Sequence, residues 1–166
     1  MKIRKIESLN VHVQEMNDRI RGRAYERFVQ RGGAPGREVD DWCAACAECI
    51  TQPPITLSET ESNFVVLFYL PEADLDDLEI LATDRGLLLQ SGSRSEFEVP
   101  GVIHVREFYP RQVFRAVEFP RAIDPGSIGV KQQGDVIRLT AAFAALKAVK
   151  PPTKTKPRTK SSAGVK

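Results

Sequence analysis

The spacing of apolar residues changes character at Pro53-Pro54. Upstream, in "DRIRGRAYERFVQ" from Asp18 to Gln30, Ile20, Ala24 and Phe28 fall near one stripe at helical spacing, with arginines and glutamate around it. "RGGAPG" then stops that helix with glycines and a proline. "REVDDWCAACAECI" starts another, which Asp40 or Asp41 can cap and which carries Cys43, Cys46, Cys49 and Ile50 on a shared face. The pair predicts a small helical hairpin ended by Pro53-Pro54.

Downstream the period shortens. "ITLSET", "NFVVLFYL", "LEILAT", "GLLLQSG", "QVFRAVEF", "SIGVKQ" and "DVIRLTAAF" are short β-branched and aromatic runs. Turn signals separate them, among them Thr83-Asp84-Arg85-Gly86 and Asp124-Pro125-Gly126. So many short strands in so short a stretch predict a mainly β protein, an immunoglobulin-like antiparallel β-sandwich. In "NFVVLFYL" both alternating sets, Phe64/Val66/Phe68 and Val65/Leu67/Tyr69, are largely apolar, which predicts a strand that is central or covered on both sides.

A chain of 166 residues is long enough to bury a core without disulfides or metal. Its net charge of +2 hides an asymmetry: seven bases and no acid lie from Lys147 onward, which leaves 17 bases against 22 acids in the rest. That tail, "KAVKPPTKTKPRTKSSAGVK", has almost no large apolar groups and is expected to be disordered. The patterns divide the chain into a flexible N-terminal arm over 1–18, the helical hairpin over 19–52, the sandwich over 53–146 and the basic tail over 147–166. "MKIRKIESLNVHVQEM" has neither the apolar core of a secretory signal nor that of a membrane anchor. With three cysteines crowded into one short stretch, the chain reads as cytoplasmic, without disulfide staples.

The cysteine stretch "CAACAEC" is the main candidate for chemistry. Spaced three apart and followed by Pro53, it has the start of an iron–sulfur ligand run, but proline stands where the fourth ligand belongs and no histidine is close in sequence. Cysteine is also a good small apolar residue for a helix face, so no metal is expected. There is no G-x-x-x-x-G-K-S/T loop, no G-x-G-x-x-G and no G-x-S-x-G turn, and His12 and His104 are the only histidines. No enzyme and no cofactor are predicted. The tail lacks the interleaved aromatics of a nucleic-acid binder, so no nucleic acid is expected as partner.

From about Pro53 to Ala145 the chain resembles the bacterial small heat-shock proteins, which carry an α-crystallin domain. "PPITLSETESNFVVLFYLPEADLDDLEI" looks like the family's opening strands, "RGLLLQSGSR" is similar to its turn, strand and S-G-x-R run, and "RQVFRAVEFPRAIDPGSIGVKQQGDVIRL" resembles its R-x-h-x-h-P-x-x-h-D-P-x-x-I signature, h being apolar. The hairpin segment "RAYERFVQRGGAPGREVDDW" looks like one that precedes such domains in some bacterial members. Two departures stand out: the family's N-G-V-L turn and strand reads Gly134-Asp135-Val136-Ile137, and the tail lacks the I/V-x-I/V motif that links subunits.

The resemblance implies an ATP-independent holdase that binds non-native client proteins and works as a homodimer or larger homo-oligomer. It places Arg115 at the dimer region, where its guanidinium interrupts the apolar set Val113, Val117 and Phe119; buried and unpaired there, it would cost several kcal/mol. It likewise makes "SRSEFEVPGVIHVREF" an excursion exchanged between subunits, with Phe97, Val99, Val102, Ile103 and Val105 at the dimer interface. A peptide-binding groove is expected near Leu78, Ile80, Val136 and Leu139. With no tail motif to fill it, Val11 and Val13 of "LNVHVQ" become the candidate docking arm, because period-two spacing sends both to one face. The competing readings are a CS-domain-like adaptor for one folded partner and a redox or metal sensor built on the cysteine helix.

Overall fold

The computed structural model describes residues 1–71, 75–92, 101 and 111–145. It is mainly β, with two sheets and two helices. The four-stranded sheet runs in the order β3-β4-β9-β8, with β3 at Ile55–Glu59, β4 at Asn63–Tyr69, β8 at Gly129–Gln133 and β9 at Val136–Ala142. The other sheet has β5 at Leu78–Ala82, β6 at Gly86–Ser91 and β7 at Gln112–Glu118, joined in antiparallel pairs. A short parallel strand extends it at each end: β1, Lys2–Lys5, beside β5, and β2, Ile50–Thr51, beside β7.

Period two decides which side chains fill the sandwich. Phe64, Val66 and Phe68 of β4, Ile80 of β5, Leu87 and Leu89 of β6, and Ile137 and Leu139 of β9 are buried between the sheets. Phe64 stacks on Phe119 at 5.1 Å and meets the edge of Phe143 at the same distance. Arg121 closes this end, its guanidinium 3.3 Å from the Phe143 ring centre and 2.7 Å from Glu59. Both predicted turns form by the expected chemistry. Thr83 Oγ1 accepts from the N–H of Gly86 at 3.0 Å, and Asp124 Oδ1 accepts from the N–H of Gly126 at 2.9 Å.

The helices are α1, Asn10–Gln30, and α2, Glu38–Cys49. The first begins well before the expected Asp18 and takes up residues read as a flexible arm; Ser8 Oγ accepts from the N–H of Asn10 at its start. It ends in a left-handed turn: Gly32 and Gly33 have φ of 88° and 71°, and the Gly33 N–H reaches back to the Phe28 carbonyl at 2.9 Å. Glu38, Asp40 and Asp41 fill the first turn of α2, where carboxylates suit the helix dipole. Charge pairs join the two helices, with Glu48 between Arg23 and Arg27 and Asp41 against Arg31.

The hairpin packs on the outer face of the five-stranded sheet. Met16 and Ile20 of α1 and Ala45 of α2 bury Leu81 of β5, Leu88 of β6 and Phe114 of β7. The molecule therefore has three layers, and β5 and β6 are buried on both faces. In β4, Val65 is buried on the outer face while Tyr69 is half exposed, so that strand is central but only partly covered.

Candidate functional site

Two sides of the sandwich differ in how their strand edges end. β2 runs into β3 through Gln52, Pro53 and Pro54 alone, so β2 and β3 lie on one side and β1 and β8 on the other. On the first side β2 covers β7 only at Gln112 and Val113, and β3 pairs only with β4 among the described residues. Arg115 sits on β7 just past the covered stretch, opposite Leu89 of β6 and in step with the inward-facing Val113 and Val117. It is half-buried; Nη1 lies 3.5 Å from Gln52 Oε1, and Nε is buried with no hydrogen-bond partner among the described residues. A buried guanidinium N–H without an acceptor is costly. Phe97, Val99, Val102, Ile103 and Val105, expected beside it, lie outside the described residues, as does His104.

On the other side, three of the four residues assigned to a groove share one cluster and Val136 does not join them. Leu78, Ile80 and Leu139 are buried in the sandwich interior. Val136 is three positions from Leu139, so period two turns it to the opposite face of β9, opposite the exposed Tyr69 and outside the interior cluster. β9 is also flanked by β4 and β8, which leaves it no free edge. The docking arm needs correction as well. Val11 and Val13 lie in α1, where helical spacing separates them: Val11 is exposed and Val13 packs toward the helix-side cluster. The segment that does lie on β5 is β1, with Ile3 opposite Ile80.

The three cysteines are free thiols on α2. Cys46 and Cys49 pack against the helix-side cluster, and burial pushes both thiols above their ordinary pKa, which disfavours the reactive thiolate. Cys43 is exposed, so the expected shared apolar face holds for two of the three. The buried face of α2 instead centres on Asp41 and Ala45, with Trp42 left partly exposed. Among the described residues no group of three or more His, Cys, Asp and Glu is placed to hold a metal ion. His12 is in α1, 4.0 Å from Glu15. No helix among the described residues is long and apolar enough to cross a membrane.

Solved structures of small heat-shock proteins are similar to this chain. HSP18.5 from E. histolytica is 15% identical with a TM-score of 0.44, the match covering 63% of this chain and 99% of that one. For heat shock protein 16.0 from Schizosaccharomyces pombe the values are 18%, 0.44, 66% and 99%. For a small heat-shock protein from Xylella fastidiosa they are 17%, 0.43, 64% and 96%. The family described as a protein of unknown function (DUF2934) matches residues 15–48, which span most of α1 and α2. No curated protein matches the chain.

Sequence reasoning missed β1, although its signal is present. In "MKIRKI" apolar Met1 and Ile3 alternate with Lys2 and Arg4, the period of a half-covered strand. The alternation is realised: Met1 packs against the sandwich interior, while Arg4 points the other way and pairs with Glu79 at 3.2 Å. It also missed the second role of the hairpin, as the cover for Leu81, Leu88 and Phe114.

Proposed function

We propose that the chain is an ATP-independent holdase, a chaperone that binds partly unfolded proteins and keeps them from aggregating without catalysing a reaction. The observation that carries this is the order of strands. The sequence pieces that resemble an α-crystallin domain fall one after another on β3 to β9 of a two-sheet sandwich, and that sandwich leaves strand edges beside Arg115 unpaired among the described residues. Non-native chains expose apolar segments with free backbone groups, and an unpaired strand edge over an apolar interior offers both kinds of contact. Binding competes by mass action with aggregation and needs no nucleotide. Arg115 and residues 93–110 are assigned to the homodimer contact, and the basic segment from Lys147 to keeping client complexes soluble.

The test is light scattering of a heat-aggregating protein with and without the purified chain, at a measured oligomeric size. Suppression of aggregation near stoichiometric amounts, for two unrelated clients, is the expected outcome. Arg115→Ala should change the assembly size, and Arg138→Ala, an exposed arginine on the outer face of β9, should not. A chain that stays monomeric and protects neither client would favour the adaptor.

A further inference from the structure

We propose that the outer face of the four-stranded sheet is a binding site for single-stranded nucleic acid, in which Lys131 and Arg138 take the phosphates and Tyr69 stacks on a base. Period two defines the face. Leu57, Val66, Phe68, Val130, Ile137 and Leu139 turn into the sandwich, so their neighbours along each strand turn outward. Those outward positions carry two bases, Lys131 of β8 and Arg138 of β9, and no acid. Glu59 of β3 turns the other way, to Arg121, and Glu61 and Asp135 stand in the turns at the ends of the strands. Outside the basic tail the chain has more acids than bases, so an acid-free face is a segregation of charge.

The two bases stand directly opposite each other in the ladder between β8 and β9, an arrangement that destabilises a sheet. Both are exposed, and no hydrogen bond or ion pair holds either side chain among the described residues. An anion set between them replaces the repulsion with attraction to both. An open cleft of about 380 Å³ is there to receive it, lined by Lys131, Arg138, Gln133, Thr140, Gly129 and Val130. Gly129 keeps it open, since a Cβ at that position would stand 3.2 Å from Thr140 Oγ1. The Gln133 amide adds a neutral donor for a phosphate oxygen.

A small anion would be satisfied by the cleft alone, but the surroundings suit a longer ligand. Tyr69 of β4 is paired with Val136, which puts it diagonally from Arg138, and it leaves 52% of its surface in water. Diagonal neighbours on one sheet face are within reach of long side chains. An exposed aromatic ring beside cations is a surface on which an unstacked base can lie while its phosphate is held, and a duplex keeps its bases out of such a contact. The basic tail supplies further charge: Lys147 follows the end of β9 by five residues, and seven bases lie from there onward. That tail has no aromatic residue of its own, and the sheet face provides one. An acidic peptide would meet the same cations but would give Tyr69 no base to stack on.

Fluorescence anisotropy of a labelled oligothymidylate of about 12 nucleotides, titrated with the purified full chain over about 50 to 200 mM NaCl, tests this. Binding should be measurable at the low salt and weaken as salt rises. Lys131→Glu with Arg138→Glu should weaken it at least tenfold. Lys2→Glu with Arg85→Glu, the same change of charge at two exposed bases elsewhere, should weaken it less than threefold. If the first pair perturbs the fold by circular dichroism, Lys131→Gln with Arg138→Gln decides: it should lower the slope of log affinity against log salt by about 1.4, the share of two phosphate contacts. Tyr69→Ala should weaken the oligothymidylate at least fivefold and leave a duplex of the same length within twofold. No binding at low salt, equal losses in the two charge-reversed variants, an unchanged slope or an unchanged affinity in Tyr69→Ala each overturn the proposal. Polyglutamate that displaces the labelled strand as well as unlabelled oligothymidylate does, at equal charge, also overturns it and makes the face a site for acidic peptides. None of these readouts needs a client, so failure here leaves the holdase reading open.

Discussion

The two apolar clusters of this molecule are held by different forces. Between the sheets, fifteen buried apolar residues interlock among the described residues. Under the helical hairpin only six are buried, and partly exposed Ile6, Leu9, Val13, Cys46 and Cys49 fill the margin. The hairpin makes up part of the difference with charge, through Arg23, Arg27 and Glu48 at one end and Arg31 with Asp41 at the other. Apolar burial is indifferent to pH and modest salt, whereas ion pairs between helices are sensitive to both. The contrast predicts that the hairpin loosens first and uncovers Leu81, Leu88 and Phe114 while the sheets stay paired.

Core truncations break this contrast most sharply. Phe68 is fully buried between the sheets, and Phe68→Ala should cost about 3–5 kcal/mol and lower the melting temperature of the whole chain. Ile20→Ala, under the hairpin, should cost about 2 kcal/mol, the low end for such a truncation, because the margin of that cluster is already open to water. Its mark should be increased binding of a hydrophobic dye with the β signal intact. Equal loss of β structure in both variants would mean that helices and sheets form one cooperative unit.

Much of this architecture was legible from sequence because period two is written into each strand. The turn residues Thr83 and Asp124 do what their side chains predict. What was not legible depended on the third dimension. The apolar run in β4 and the one in β6 look alike, yet only β6 is covered on both sides, because the hairpin lies over Leu88. Val11 and Val13 match a strand and a helix equally well over three residues; the helical continuation through Met16 and Ile20 decides, and that needs the sheet face they pack on. Val136 and Leu139 stand an odd number of positions apart, which by period two puts them on opposite faces of β9. Arg115 was legible as an anomaly, but its buried Nε and its place beside Gln52 were not.

A pH series sharpens the contrast with a smaller effect. The hydrogen bond from Arg31 holds the Asp41 carboxyl below its ordinary pKa, and the side chain keeps only 7% of its surface in water. A carboxyl whose folded pKa is depressed stabilises the fold above its unfolded value and loses that contribution as the pH falls through the folded one. Acidification below about pH 4 should therefore loosen the hairpin before the sandwich. Dye binding should rise while the β signal persists. Asp41→Asn should bring that loosened state to neutral pH and flatten its acid dependence. If dye binding and β signal change together across the series in wild type, the layers are not separable.

The smallest effect concerns the thiols, and it tests whether the margin of the hairpin carries chemistry as well as packing. Cys46 and Cys49 are half-buried small side chains with raised pKa, and Cys43 is exposed on the neighbouring turn of the helix. Side chains three apart on a helix have Cβ atoms roughly 5–6 Å apart. A disulfide needs about 3.5–4.5 Å, so oxidation within α2 would have to unwind it. If the thiols only pack, replacing all three by Ala should cost about 1 kcal/mol in total, since Ala is a strong helix former and little buried volume is lost. The replaced chain should be colourless and folded, and should match the wild type in the light-scattering assay. Metal analysis of the wild type should find well under one ion per chain. One metal per chain, or a hairpin that unfolds when peroxide is added to the wild type and not to the triple variant, would give the cysteine helix a chemical role.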